Sequence, residues 1–366
     1  MNALVSHGVL IVDLTDGGSS FKDAEALSRM WKTTNNFFDQ VSDPSIASKL
    51  PGMTTAMETG SSHAKVGYQE YDSGSMKFLE TRRERKNGNL LPEEAKEILG
   101  EDGTLALQSA FDIVAQVGKD VVRIAVAASS VEHGAFLDKK GTQGDSRDQK
   151  ILASQGATLL SDELVDDGKP LPSNVKINHD EGTVSMSPFR LCRYTDGRDD
   201  GTDGSSREVF GAHTDSSFIT AVPVAEISGL EVYDEEAEKW YRPELRARAH
   251  WEKEQSAQGK DPSLQYDEAI GEDGERTPWH SRYLAIIPGE NLQLATRNEI
   301  PAAVHRVVAM KDRPARLSAP ILVRGRPGTK FLVKRYLGGA LGNSLLLDAD
   351  ELSMQEIHEK SQPAFQ

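Results

Sequence analysis

The chain changes texture once, near residue 131, and that change limits what it can fold into. Before it, Thr104 to about Val131 sets Leu107, Phe111, Val114, Gly118, Val121, Val122 and Ala125 on one helical stripe. A helix of that kind has to lie along something flat. After it come short apolar runs separated by Gly, Asp and Pro, the pattern of strands and turns. The strand candidates are Val184–Tyr194, Phe218–Val224, Leu230–Tyr233, Tyr283–Ile287, Leu292–Ala295, His305–Met310, Leu317–Val323 and Phe331–Arg335. Upstream, His7–Leu14 reads as a buried strand. Beyond the Gly17-Gly18 break, Ser20 is placed to cap a helix from about Phe21 to Val41, with Ala24, Leu27, Trp31 and Phe38 on its apolar face. The expectation is a mixed α/β chain with a mainly β core and supporting N-terminal helices.

Two stretches interrupt the β region. Thr195–Arg207 (TDGRDDGTDGSSR) is an acidic Gly/Ser/Asp loop, and Glu244–Pro278 is a charged excursion between two strands. A basic cluster at Arg82, Arg83, Arg85 and Lys86 reads as a solvated helix face. The 366 residues carry 42 Lys+Arg against 57 Asp+Glu, a net charge of −15, which argues against nucleic acid and anionic membrane surfaces as partners. The single cysteine, Cys192, excludes an intrachain disulfide framework and a Cys-rich zinc site. No stretch approaches the roughly 18 apolar residues of a membrane span. Met1–Leu14 lacks the basic and small-residue pattern of a secretory signal. A cytoplasmic, monomeric protein is expected, with an earlier, removed transit peptide left open. Residues 1–135 are expected to pack on a core of residues 136–336, followed by a helical tail over 337–366, as one structural domain.

The nine histidines include one set apart by context, in Gly211-Ala212-His213-Thr214-Asp215 just before an apolar run. On an extended segment His213 and Asp215 point the same way, because side-chain direction repeats every second residue. They offer one imidazole nitrogen and one carboxylate to a common point. A third ligand has to come from another strand, and His305, opening the β-branched His305-Arg306-Val307-Val308, is the candidate. Two histidines and a carboxylate make the ligand set of non-haem Fe(II) oxygenases, with coordination positions left open. His250-Trp251-Glu252 is a competing pair, in the charged excursion and without strand context. Downstream of His305, Arg316-Leu317-Ser318 places a guanidinium and a hydroxyl on one face of an extended segment. That is a pairing suited to a carboxylate, as at the far end of a dicarboxylate cosubstrate.

With these residues in view, the sequence resembles the Fe(II)/2-oxoglutarate-dependent dioxygenases of the isopenicillin N synthase-like family. The matching text is FGAHTDSSFITAVPVAEISGLEVYDEEAEKW and YLAIIPGENLQLATRNEIPAAVHRVVAMKDRPARLS, with Asn36-Phe37-Phe38 and Gly67-Tyr68 fitting the N-terminal region. The resemblance implies a double-stranded β-helix, a cupin-like jelly roll, with the 104–131 helix supporting it. It implies Fe(II) held by His213, Asp215 and His305, and 2-oxoglutarate chelating the iron with its distal end on Arg316 and Ser318. Where the family often has Asn-x-Tyr on an earlier strand, this chain has Cys192-Arg193-Tyr194, so Tyr194 matches and Cys192 replaces the Asn. Glu290 stands where the family has Asp after Gly289. The implied activity is O2-dependent oxidation of an unactivated C–H bond, by hydroxylation, desaturation or ring closure, with release of succinate and CO2.

If Tyr194 and Cys192 face the barrel interior, strand alternation sends Arg190 there too. An inward arginine needs an anion, either an internal acid or a substrate carboxylate. Arg190 is therefore a candidate substrate-binding residue, and a small anionic metabolite, of the kind taken by kainoid-synthase-type natural-product oxygenases, is the candidate substrate. Two other readings stand beside this one. One is a non-haem iron oxidase on the same scaffold that does not use 2-oxoglutarate; the other is a non-catalytic cupin-like binding protein.

Overall fold

Antiparallel pairing joins β-strands from both ends of the sequence. In the computed structural model, residues 2–15, 21–55, 64–71, 75–128, 165–170, 182–195, 206–263, 265–270, 274, 276–296, 298–310, 313–328, 330–332, 336–338, 345–347, 351–354 and 356–357 are described. The strands among them are β1 (Leu10–Asp13), β2 (Thr54–Thr55), β3 (Lys65–Tyr71), β4 (Met76–Arg83), β5 (Leu90–Leu91), β6 (Phe189–Tyr194), β7 (Ser206–His213), β8 (Ile219–Pro223), β9 (Leu230–Asp234) and β10 (Lys239–Tyr241). They continue with β11 (Tyr266–Ile270), β12 (Arg276–Pro278), β13 (Tyr283–Pro288), β14 (His305–Met310), β15 (Arg316–Ser318), β16 (Ile321–Val323), β17 (Lys330–Leu332), β18 (Tyr336–Gly338), β19 (Leu345–Leu347) and β20 (Glu351–Ser353). A ten-stranded sheet runs β1-β13-β8-β16-β6-β4-β3-β2, with β15 also on β6 and β5 on β4. A four-stranded sheet runs β10-β9-β14-β7.

The central strands β8, β13 and β16 of the larger sheet are buried on both faces, and the two faces differ in chemistry. Phe189 and Leu191 of β6 join Ile219 and Ala221 of β8, Leu284 and Ile286 of β13 and Ile321 and Val323 of β16 in one apolar cluster with the helices. The helices Lys22–Gln40 and Glu94–Ala128 supply Leu27, Phe37, Phe38, Phe111 and Val114 to it. The longer helix is broken at Gly100, whose φ of 71° lies in the left-handed region, so the straight part begins where the apolar stripe does. Gly118 marks its crossing over the sheet: a Cβ there would stand 2.9 Å from Val323 Cγ2 and 3.3 Å from Ile219 Cδ1. The opposite face of β6 carries Arg190, Cys192 and Tyr194, which line a cavity between the two sheets. The period of two thus separates an apolar support face from a polar working face on one strand.

Four segments differ from the expectations set by sequence. Leu292–Ala295 is the end of a short helix, Glu290–Ala295, because a short apolar run does not by itself distinguish helix from strand. Arg82 and Arg83 lie on β4, buried rather than on a solvated helix. They persist there because acids meet them: Glu80 for Arg82, Asp112 for Arg83, and Asp166 for Arg85 through two bonds of 2.8 and 2.7 Å. The charged excursion opens with a helix, Pro243–Ala257, that buries Ala247 and Trp251, followed by the β11–β12 hairpin. The described part of the 337–366 stretch includes short strands, β19 and β20, in place of a purely helical tail. Most of Thr195–Arg207 lies outside the described residues, as does Ser20; Phe21 takes the N-cap position of the first long helix. No helix among the described residues is long and apolar enough to cross a membrane.

Candidate metal centre

His213 ends β7 and His305 opens β14, and the two residues face each other in the register of that strand pair. Asp215 follows two residues after His213, in the segment leading to β8. Their ligand atoms all lie within 4.8 Å of one another. His213 Nε2 is 3.6 Å from Asp215 Oδ1, His305 Nε2 is 3.4 Å from Asp215 Oδ2, and the two imidazole centroids are 4.3 Å apart.

Each imidazole is oriented by its other nitrogen. His213 Nδ1–H donates to the Gly211 carbonyl at 2.8 Å and His305 Nδ1–H donates to the Ala303 carbonyl at 3.1 Å. In the neutral rings this leaves both Nε2 lone pairs for the common point, the tautomer a metal ligand needs. Burial alone would push the Asp215 carboxyl up, but His305 and His213, with a hydrogen bond from Thr220 Oγ1, hold it well below the usual carboxylate range. Burial and the neighbouring His305 push His213 down, favouring the neutral ring. The charge on Asp215 outweighs burial at His305 and raises it.

The loop carrying Asp215 is braced by Glu290, whose carboxylate accepts from Thr214 Oγ1 at 2.6 Å and Ser216 Oγ at 3.1 Å. Glu290 N–H also donates to the Asp215 carbonyl at 2.9 Å. The longer acid therefore reaches over the loop from the helix that replaces the expected strand. Gly289 permits the approach: a Cβ there would stand 2.3 Å from the Ser217 carbonyl oxygen and 2.7 Å from that of Asp215.

Arg316 and Ser318 of β15 pair in register with Tyr194 and Cys192 of β6, and all four candidate cosubstrate residues line the cavity that the histidines also line. Burial pushes the Cys192 thiol up to about 11, so it is a neutral group in this wall. The Arg316 guanidinium lies 5.6 Å from the centroid of the Tyr194 ring. Its Nη2 donates to Glu244 Oε1 at 2.7 Å, while its buried Nε and Nη1 have no hydrogen-bond partner among the described residues. Buried guanidinium N–H groups without acceptors are costly, and their presence beside a cavity fits a site made for an anion. Sequence reading missed Glu244, which stands 72 positions from Arg316.

Arg190 also lines the cavity, and it has an internal partner: its Nε donates to Glu80 Oε2 at 2.7 Å. Glu80 Oε1 accepts from Arg82 Nη2 at 2.9 Å, so one buried carboxylate lies between two guanidiniums. Arg190 keeps a side-chain exposure of 32%, so it is only half-buried where it lines the cavity. The competing pair falls apart on the excursion helix. His250 joins Asp13 and Glu254 in a second cluster with metal-like spacing, but Arg282 Nη2 already bridges those two carboxylates at 2.7 and 2.9 Å. Glu252 is taken by Arg248 and Trp251 is buried.

No protein-family model and no curated protein matches the chain. Its likeness to solved structures spans nearly the whole length. Neurospora crassa T7H, in complex with alpha-KG and thymine, aligns over 100% of this chain and 91% of its own, with a TM-score of 0.53 at 13% identity. An oxygenase candidate from Shewanella oneidensis aligns over 90% and 85%, with a TM-score of 0.51 at 13% identity. A candidate 2OG-Fe(II) oxygenase family protein from Caulobacter crescentus aligns over 98% and 90%, with a TM-score of 0.50 at 14% identity. At these identities the likeness is one of fold: a double-stranded β-helix core with supporting helices, as the sequence leads one to expect.

Proposed function

We propose that this protein is an Fe(II)- and 2-oxoglutarate-dependent oxygenase acting on a small anionic metabolite. The observation that carries the reading is the pairing of two elements in one cavity. One is a His213–Asp215–His305 cluster with both Nδ1 atoms already engaged; the other is a buried Arg316 with two donors unsatisfied. A mixed imidazole and carboxylate donor set suits Fe(II) better than an all-oxygen metal such as Mg²⁺ or Ca²⁺. When bound, iron with 2-oxoglutarate and O2 supplies the oxidant for an unactivated C–H bond, with succinate and CO2 released.

The chain's own residues have separable tasks. Asp215 stays ionised, so it neutralises one positive charge of the cation, and Glu290 fixes its loop. Arg316, with Ser318 and Tyr194, takes the distal carboxylate of the cosubstrate, and the neutral Cys192 fills the place of an amide ligand. The unsatisfied donors on Arg316 favour a 2-oxoglutarate user over an oxidase that dispenses with it. Retention of a complete ligand cluster favours an enzyme over a binding protein. Arg190, partly open beside the centre, takes a substrate carboxylate, with Glu80 holding its Nε. The motif text favours an isopenicillin N synthase-like lineage, and the basic substrate end fits the anionic substrates of kainoid-type ring-forming oxygenases.

The test is Fe(II)-dependent conversion of 2-oxoglutarate to succinate, screened for stimulation across small carboxylated metabolites. With a stimulating substrate in hand, Arg190→Leu is expected to raise its KM and leave 2-oxoglutarate affinity unchanged. Iron-loaded protein that converts no 2-oxoglutarate with any of them would count against the assignment.

A further inference from the structure

We infer that Glu244, at the start of the helix inside the charged excursion, is the positioning residue for Arg316 and so sets affinity for the distal carboxylate of the cosubstrate. The inference rests on the reading of Arg316 given above and adds a residue to it. Both side chains are nearly inaccessible, at 3% for Arg316 and 2% for Glu244. The carboxylate is fully used. Its Oε1 accepts from Arg316 Nη2 at 2.7 Å, and its Oε2 accepts from the backbone N–H groups of Gly229 and Leu230 at 2.6 and 3.1 Å.

That arrangement ties three segments together: the excursion helix, the start of β9 and β15. Gly229 lets them meet, since a Cβ there would stand 2.6 Å from Arg316 Cδ and 2.4 Å from the Val308 carbonyl oxygen. The Arg316 side chain, which lines the cavity, is thus pressed against backbone through its Cδ and Nε and bonded to Glu244 by Nη2, while the buried Nη1 has no partner among the described residues. A guanidinium with one donor fixed by a buried acid has lost most of its rotamer freedom before any ligand arrives. A carboxylate then meets preorganised donors and does not have to order them. Glu244 does not compete for Nη1, because its own oxygens are occupied by Arg316 Nη2 and the Gly229 and Leu230 N–H groups.

The experiment compares two iron ligands by anaerobic calorimetry on the Fe(II)-loaded protein. 2-Oxoglutarate uses the iron and the distal anchor; oxalate chelates the iron alone. Glu244→Gln, which removes the charge and sets an amide against donors, is expected to weaken 2-oxoglutarate ten- to a hundredfold and leave oxalate within about twofold. Glu244→Asp, one methylene short, is expected to show a smaller loss with the same selectivity. Unchanged 2-oxoglutarate affinity, or an equal loss of both ligands in both variants, would overturn the inference. Arg316→Met separates this outcome from a failure of the underlying reading. If it loses 2-oxoglutarate selectively and Glu244→Gln does not, only the role of Glu244 falls. If it too leaves 2-oxoglutarate unaffected, the assignment of Arg316 falls.

Discussion

Replacing Glu80 by Gln removes the carboxylate that the structure sets among the buried Arg82 and Arg324 and the half-buried Arg190, and the cost should be large. Glu80 is 2% exposed and hydrogen-bonds Arg82 and Arg190, with Arg324 close enough to add its field. Burial pushes Arg324 down to about 9, helped by the like charges of Arg82 and Arg190. Burial would push Glu80 up, yet Arg190 and Arg82 more than offset it and hold its carboxyl below the usual 4.5. Breaking a buried pair by neutralising one member typically costs about 3–5 kcal/mol, because the remaining charge stays buried. At roughly 2 °C per kcal/mol for a large domain, Glu80→Gln should lower the thermal midpoint by on the order of 6–10 °C at pH 7. The pH dependence has a definite sign. A depressed carboxylate contributes its stability above its unfolded value and loses it as pH falls through the lower folded value. The gap between the two proteins should therefore narrow below about pH 4.5, the ordinary value for that carboxyl. Arg190→Leu should cost less, since that side chain is partly solvated and Glu80 retains Arg82. A Glu80→Gln loss under about 1 kcal/mol in denaturant melts at pH 7, where a solvated surface pair would fall, would refute the claim that these charges are desolvated.

Gly229→Ala should destabilise the chain by about 1–3 kcal/mol through overpacking and weaken 2-oxoglutarate binding without altering any charge, read by thermal melts and calorimetry together. Glu290→Ala should release the Asp215 loop and reduce metal affinity about 10- to 100-fold, measured by competition with a chromophoric chelator; unaltered affinity would show that the brace is dispensable. Burial pushes His280, whose Nδ1–H donates to the Val224 carbonyl, down to about 4 from 6.5. The unfolded chain then takes up a proton between those values and the folded one does not, so stability should fall by roughly 3 kcal/mol as pH drops through that window. Melts of His280→Gln should lose that slope, and an identical slope would refute it.

The working face of the barrel was legible because strand alternation is a short-range rule. Arg190, Cys192 and Tyr194 share the cavity face of β6 while Phe189 and Leu191 turn to the helices; Asp215 lies past the end of β7, yet lines the same cavity as His213. The His305 partner needed only a β-branched run opened by a ligand-capable residue. Charge runs misled, because a basic cluster declares its length but not its counter-ions. Asp112 and Asp166 lie far along the chain from Arg83 and Arg85, although Glu80, two residues before Arg82, carried a local hint. The excursion helix had signals that its charge obscured: Pro at its start and Ala247, Trp251 and Gln255 buried at four-residue spacing. Glu244 had no local signal as a partner of Arg316, since only the fold brings those positions together.

In the proposed function, one cavity holds iron on His213, Asp215 and His305 and the cosubstrate on Arg316. Anaerobic addition of Fe(II) and then 2-oxoglutarate, followed by visible absorption, tests it most directly. A weak charge-transfer band from the chelate is expected in the native protein, lost in Asp215→Ala and demanding far more 2-oxoglutarate in Arg316→Met. Iron-loaded native protein that develops no such band at saturating 2-oxoglutarate would contradict it.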